Sequence, residues 1–315
     1  MLCSTAACSG GRAMKEVVVY TSVDQPRSEP VFKAFEAETG IRVKAVYDVE
    51  ASKTTGLANR LAAETGHPRA DVFWSSEVIQ TVALAEKGVF SPWSSAATRS
   101  APAVLRDQGG RWTGLCPRER VILVNTDLVK PEEAPATIFD LVDGRWRADE
   151  VGMALPLFGT SFTQAVVLFD ALGEERAAAF YEKAKAAGVR ILDGNARVAA
   201  LVADGTLKAG ITDSDDAAVV LGKGAPVKVI VPDGLEAGGL LIPGTAALVR
   251  GAPHPVEGGK LIDYLLSTEV GKKLAASGYC CCSREEALNN VPGSWTALAK
   301  DVPSIREQMR KIFLR

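Results

Sequence analysis

Three carboxylates fall within four residues in the stretch Gly210-Ile-Thr-Asp-Ser-Asp-Asp-Ala217: Asp213, Asp215 and Asp216. Carboxylates this close repel one another unless a cation or a proton compensates them. Their hard oxygens suit Ca²⁺, Mg²⁺, Mn²⁺ or Fe³⁺, or the amine of an organic ligand. A purely structural role also fits, with Asp213 capping a helix and the other two complementing its dipole.

Other segments carry compatible chemistry. Ser22 with Asp24, and Ser76 with Glu77, each place a hydroxyl and a carboxylate just after an apolar run. Strand ends are where open α/β sheets bind ligands, although Ser and Asp are also the preferred helix caps. Phe158-Gly-Thr-Ser-Phe162 precedes a helical pattern, so Thr160, Ser161 and the backbone amides there could hold an anion. Asn195 could add an amide, or simply make a turn. Arg118 or Arg120 could grip a carboxylate or phosphate with the guanidinium fork, or sit in a solvated loop. Asp24, Glu77, Asp215 and Asp216 then form a candidate metal-ligand wall facing the anion pocket. The candidate ligand contacts are Ser22, Asp24, Ser76, Glu77, Arg118, Thr160, Ser161, Asn195 and Asp213. Cys116 has no histidine nearby in sequence to activate it; His67 and His254 are the two histidines.

Elements in an α/β order position these groups. The pattern predicts strands at 16–20, 42–47 and 71–74. They alternate with helices at 28–39, where Ser28 is the cap, at 53–64 and at 78–87. Charge and glycine mark 106–120 as a loop, and the apolar 121–125 as a strand crossing between two lobes. Further strands are expected at 151–155, 189–192, 209–212, 227–231 and 245–249. Helices are expected at 138–141, 161–172, 176–187, 196–203, after Asp213, at 256–266, 269–276 and 304–314. The rhythm predicts an α/β clamp in which each lobe is a central sheet flanked by helices. Residues 15–122 and 246–280 make lobe 1, and 123–245 and 281–315 make lobe 2.

At 315 residues, two lobes are the expectation. The net charge of −2 leaves no basic footprint for nucleic acid, and no long apolar run predicts a membrane span. Residues 1–14 read as a leader. Small residues before Cys8 and a Ser/Gly spacer suggest the end of a lipoprotein signal, or a stretch without meaning. The six cysteines include the run Cys280, Cys281 and Cys282 and show no zinc spacing. Cys116 could bond one of the run; spacing does not choose which.

Ordered blocks across residues 15–285 carry a resemblance: Val18-Val-Tyr-Thr-Ser22, Glu29–Val43, Ala70-Asp-Val-Phe-Trp74, Ala85–Trp93 and Gly224-Ala-Pro-Val-Lys228. In these the chain resembles the periplasmic ferric-iron-binding class of ABC-transporter solute-binding proteins. The resemblance implies a monomeric, non-enzymatic two-lobed clamp, periplasmic or lipid-anchored on the cytoplasmic membrane. It would deliver its solute to a permease. It also implies a metal ion bound with a synergistic anion as ligand, and no required cofactor. The family's tyrosine pair falls on Asp215 and Asp216, its histidine on Asp24, and its glutamate on Ser76 or Glu77. Thr160, Ser161 and Asn195 match its anion pocket. Relatives on this scaffold bind phosphonates, sugar phosphates, thiamine or polyamines, so a phosphorylated or zwitterionic solute is the alternative ligand. A thiaminase-like enzyme using Cys116 is a further alternative.

Overall fold

The computed structural model describes residues 15–48, 55–280 and 290–314. The chain opens with β1 (Glu16–Thr21), α1 (Gln25–Thr39), β2 (Arg42–Tyr47), α2 (Thr55–Ala63), β3 (Val72–Ser75) and α3 (Ile79–Glu86). β1 pairs parallel with both β2 and β3, as strands joined by crossover helices must. Val17, Val19, Val72 and Phe73 are fully buried, because helices cover the sheet on both faces. Phe32 of α1 meets Trp74 edge-on, with centroids 5.5 Å apart. Burying each such side chain contributes roughly 1.5–3 kcal/mol. The first helix starts at Gln25, three residues before the expected cap. Pro26 in its first turn is already set for helix, and the Ser28 hydroxyl instead donates to the Val23 and Asp24 carbonyls.

β4 (Phe90–Ser91) and α4 (Ala96–Ser100) lead to β5 (Thr113–Asn125), a 13-residue strand. The second half follows as β6 (Val151–Ala154), α5 (Gly159–Leu172), α6 (Glu174–Ala186), β7 (Arg190–Leu192), α7 (Asn195–Ala203), β8 (Ala209–Asp213), α8 (Ser214–Gly222) and β9 (Val227–Ile230). β10 (Leu240–Val249) returns, and α9 (Pro255–Leu265), α10 (Thr268–Ala276), α11 (Trp295–Leu298) and α12 (Val302–Phe313) complete the chain. The mixed sheet runs β2-β1-β3-β10-β5-β8-β6-β7, with β4 on β10 and β9 on β5. This is the predicted α/β architecture, a curled mixed sheet with flanking helices. Among the described residues, no helix is long and apolar enough to cross a membrane.

Two strands are longer than their sequences suggest. β10 starts at Leu240, and β5 takes in 113–120, expected as loop. Between the pairs Leu115↔Gly244 and Arg118↔Ile242, Cys116 and Pro117 stand opposite Pro243 alone. This is a bulge, where prolines can sit because ladder bonding is already broken. Cys116 has a left-handed φ of 48° there. Beyond the bulge β5 changes partner at Arg120, which pairs with Leu240 on one side and Asp213 on the other. The expected helix at 138–141 is a 3-10 turn, held by a capping box between Thr137 and Asp140.

Candidate functional site

A strand sends alternate side chains to one face, so Arg118 and Arg120 on β5 point the same way. They meet the β8–α8 junction, whose register opposite Arg120 is Asp213. The start of α5 brings Thr160, Ser161 and Gln164, and the start of α7 brings Asn195. Gly159 opens α5 with a φ of +54°, a conformation L side chains rarely adopt. These elements enclose a cavity of about 490 Å³.

Asp213 is the centre of one hydrogen-bonded group. Arg120 Nη1 donates to its Oδ1 at 2.6 Å, and Thr160 Oγ1 to its Oδ2 at 2.6 Å. Asn195 Nδ2 donates to the same Oδ2 at 3.2 Å and to Thr160 Oγ1 at 3.0 Å. Arg120 is itself fully buried; its Nη1 also reaches Asn195 Oδ1 at 3.0 Å and its Nε reaches Gln164 Oε1 at 3.1 Å. Burial pushes the Asp213 carboxyl up, but Arg120, Arg118 and the Thr160 hydroxyl outweigh it, and the net shift is down.

Asp215 is held differently. Arg118 Nη1 approaches its two oxygens at 3.4 and 3.3 Å, and Asp213 at 3.6 Å. Burial is the largest influence on Asp215, and with the neighbouring Asp213 charge it raises the pKa in spite of Arg118. Arg118 Nη2 donates to the Ser76 carbonyl, its Nε is buried without a hydrogen-bond partner, and its guanidinium lies 5.3 Å from the centroid of the Tyr279 ring. Asp216 completes the set: one oxygen from each of Asp213, Asp215 and Asp216 lies within 4.8 Å of the others. With Asp24 and Asp193, five carboxylates line the cavity, against Arg118 on the wall and Arg120 behind it. Fully ionised, that is an excess of three negative charges, which favours a cation.

The structure brings together Asp24, Ser76, Arg118, Thr160, Ser161, Asn195, Asp213, Asp215 and Asp216 as cavity lining. Glu77 is not among them. Its carboxylate is buried, accepting from the Ile79 and Gln80 amides and from Thr163 Oγ1, which makes it a structural tie at the start of α3. Burial, the largest influence, raises its pKa. Ser22 also stands back from the cavity; its hydroxyl pairs with that of Ser76 at 3.1 Å and accepts from the Ser76 amide. Cys116 is bonded to Cys280, so its sulfur is no free nucleophile and the thiaminase-like reading is set aside. Cys8 lies outside the described residues, as do Cys281 and Cys282. Gln164 and Tyr279 were not anticipated. Gln164 is one helical turn from Thr160, a spacing that signals a shared face. Tyr279 carries no such signal; it precedes Cys280, which is bonded to Cys116, and is buried in the core.

The sequence matches the model of bacterial extracellular solute-binding proteins over residues 31–300. The chain belongs to that family. Similar proteins include iron uptake protein A1 of Synechocystis sp., 31% identical over 134 residues, which are 42% of this chain and 36% of that one. The match thus spans just over a third of that relative's length. A putative 2-aminoethylphosphonate-binding periplasmic protein of Salmonella paratyphi A is 29% identical over 249 residues, 78% of this chain and 70% of the relative. Iron-bound HitA from Pseudomonas aeruginosa superposes with a TM-score of 0.83 at 20% identity, covering 95% of this chain and 99% of that one. At that identity the likeness shows the fold.

Proposed function

We propose that this solute-binding protein captures a hard metal cation, ferric iron foremost, in the acidic cavity and delivers it to an ABC permease in the cytoplasmic membrane. The observation that carries this reading is the convergence of Asp213, Asp215 and Asp216 within 4.8 Å in a cavity of excess negative charge. The relatives named for iron support it. The lobes divide where β5 and β10 change partners, and ligand capture closes them as a monomer outside the cytoplasm, in the periplasm or on a lipid anchor at Cys8. By the resemblance, the tyrosine pair of the ferric class falls on Asp215 and Asp216, so a bound ferric ion is expected to give no strong phenolate charge-transfer band.

A second reading has its own support. In a zwitterion such as 2-aminoethylphosphonate, the amine would meet the carboxylates and the phosphonate the start of α5. The Salmonella relative with that name aligns with 78% of this chain. Calorimetry against Fe³⁺, Ca²⁺ and 2-aminoethylphosphonate, with native mass spectrometry of protein from its own host, separates the two. Tight binding of metal-free 2-aminoethylphosphonate with no response to either ion would defeat the metal reading.

A further inference from the structure

The side-chain donors of Thr160, Ser161 and Asn195, placed to receive an anion, are committed within the chain, and counting their hydrogens shows where. Thr160 has one hydroxyl hydrogen, directed to Asp213 Oδ2 at 2.6 Å. Ser161 has one, directed to Asn195 Oδ1 at 3.2 Å. Asn195 has two on its amide nitrogen, directed to Thr160 Oγ1 and Asp213 Oδ2. Arg120 sends Nη1 to Asp213 Oδ1 and Asn195 Oδ1, and Nε to Gln164. The acceptor at the centre of this set is a carboxylate of the chain itself, 3% exposed at the cavity wall. A second anion there would meet that charge, and Thr160 and Asn195 would have to abandon Asp213 to bind it.

We infer that Asp213 is the built-in anion of this pocket: it takes the seat among Arg120, Thr160 and Asn195 that an external oxyanion would otherwise fill, so the cavity binds its cation without one. The inference rests on the reading of the site as a cation site, and it makes Asp213 a specificity-determining residue. It also accounts for the pairing of Arg120 with a carboxylate in a cavity otherwise short of positive charge. The two roles of Asp213 are compatible, because a carboxylate has about four lone-pair sites and can bridge a guanidinium and a metal ion.

The test uses terbium(III), a hard trivalent ion whose luminescence rises near aromatic residues, and sulfate as the anion probe. Full-length protein is titrated with terbium in a buffer without coordinating anions, then again with millimolar sulfate. Melting temperature is read with sulfate alone. The wild type is expected to bind terbium equally in both buffers, and sulfate alone should leave its melting temperature unmoved. Asp213→Asn, which keeps the shape but not the charge, should bind terbium about tenfold more weakly without sulfate. Sulfate should restore part of that affinity and should now raise the variant's melting temperature. Wild-type affinity that rises severalfold with sulfate, or Asp213→Asn that equals wild type without it, overturns the inference while leaving the cation reading intact. If neither protein binds terbium, the cation reading fails and the sulfate melts alone decide the built-in anion. If circular dichroism shows the variant unfolded, the wild type decides: a sulfate-dependent rise in its melting temperature overturns the proposal.

Discussion

Asp213 and Asp215 are two residues apart at one strand–helix junction, yet the fold moves their carboxyls in opposite directions. Burial raises both, but Asp213 is gripped by Arg120, Thr160 and Asn195 and ends below the ordinary range. Asp215 has Arg118 at 3.3 Å, with the Asp213 charge beside it, and ends above. Asp213 is therefore built into the resting protein as an ion with its partners in place. Asp215 is left incompletely compensated, the state in which an arriving cation gains most. Perturbed groups of this kind gather at functional sites because stability there is given up for binding.

The comparison breaks most severely at Arg120. Arg120→Met leaves a carboxylate buried without its closest cation, and losing one partner of such a pair costs about 3–5 kcal/mol. Urea denaturation at neutral pH should show that loss, and a smaller one for Arg118→Met, whose nearer carboxylate, Asp215, is the more readily protonated. The Arg120→Met deficit should shrink as pH falls. In the wild type, the stability that Asp213 contributes is present above the free aspartate pKa near 4 and lost as pH falls through its lower folded value. Equal losses for the two arginine variants would remove the distinction between the two carboxylates.

The Arg118 half is held by a covalent tie that the Asp213 half lacks. The Cys116–Cys280 bond closes a separation of 164 residues, next to Tyr279, whose ring faces Arg118. Cys280→Ser should lower stability by about 2–4 kcal/mol and weaken cation binding, whereas the Arg120 network should be unaffected. A variant with the lowered denaturation midpoint but unchanged affinity would mean that Tyr279 stays in place without the bond.

How much of this was legible depends on whether the signal was local. The strands and helices around Asp213 follow from Ala209–Thr212 being small or apolar and from the acids behind it, and β1, β2 and β3 follow from their β-branched and aromatic runs. The strand at 113–120 was hidden because Cys-Pro-Arg-Glu-Arg reads as loop; its hydrogen bonds come from β10, over 100 residues away. Glu77 shows the other limit. Its position after β3 suggested a cavity wall, but sequence does not say which way a capping carboxylate turns, and Thr163 on a distant helix takes it inward. Thr160, Ser161 and Asn195 were recognised by type and converge in space. That they are turned to Asp213 rather than to a ligand depends on the β5–β8 register, which no local pattern encodes.

Asp215→Asn sharpens the contrast at smaller cost. Because folding raises the Asp215 pKa, its ionised form opposes folding, and stability is gained as pH falls from the folded value towards about 3.9. Removing that charge should stabilise the apo protein at neutral pH by about 0.5–2 kcal/mol, and the gain over wild type should vanish at low pH as Asp215 itself becomes neutral. The same variant should bind terbium more weakly. Unchanged affinity would reduce Asp215 to a helix-start residue.

The smallest effect is expected at Ser161, and it separates the two ways of reading the anion pocket. If the hydroxyl served an external anion, Ser161→Ala would weaken any anion-dependent binding severalfold, since a hydrogen bond to a charged group is worth about 1.5–3 kcal/mol. In the structure the hydroxyl donates instead to the Asn195 side-chain carbonyl oxygen, which also accepts from Arg120. Asn195 Oδ1 therefore keeps a donor when Ser161 is truncated, and the loss is that of one neutral hydrogen bond, about 0.5–1.5 kcal/mol of stability. Terbium affinity should not move, with or without sulfate. A severalfold fall in affinity confined to sulfate-containing buffer would show an outside anion at Ser161 and would return the seat now given to Asp213.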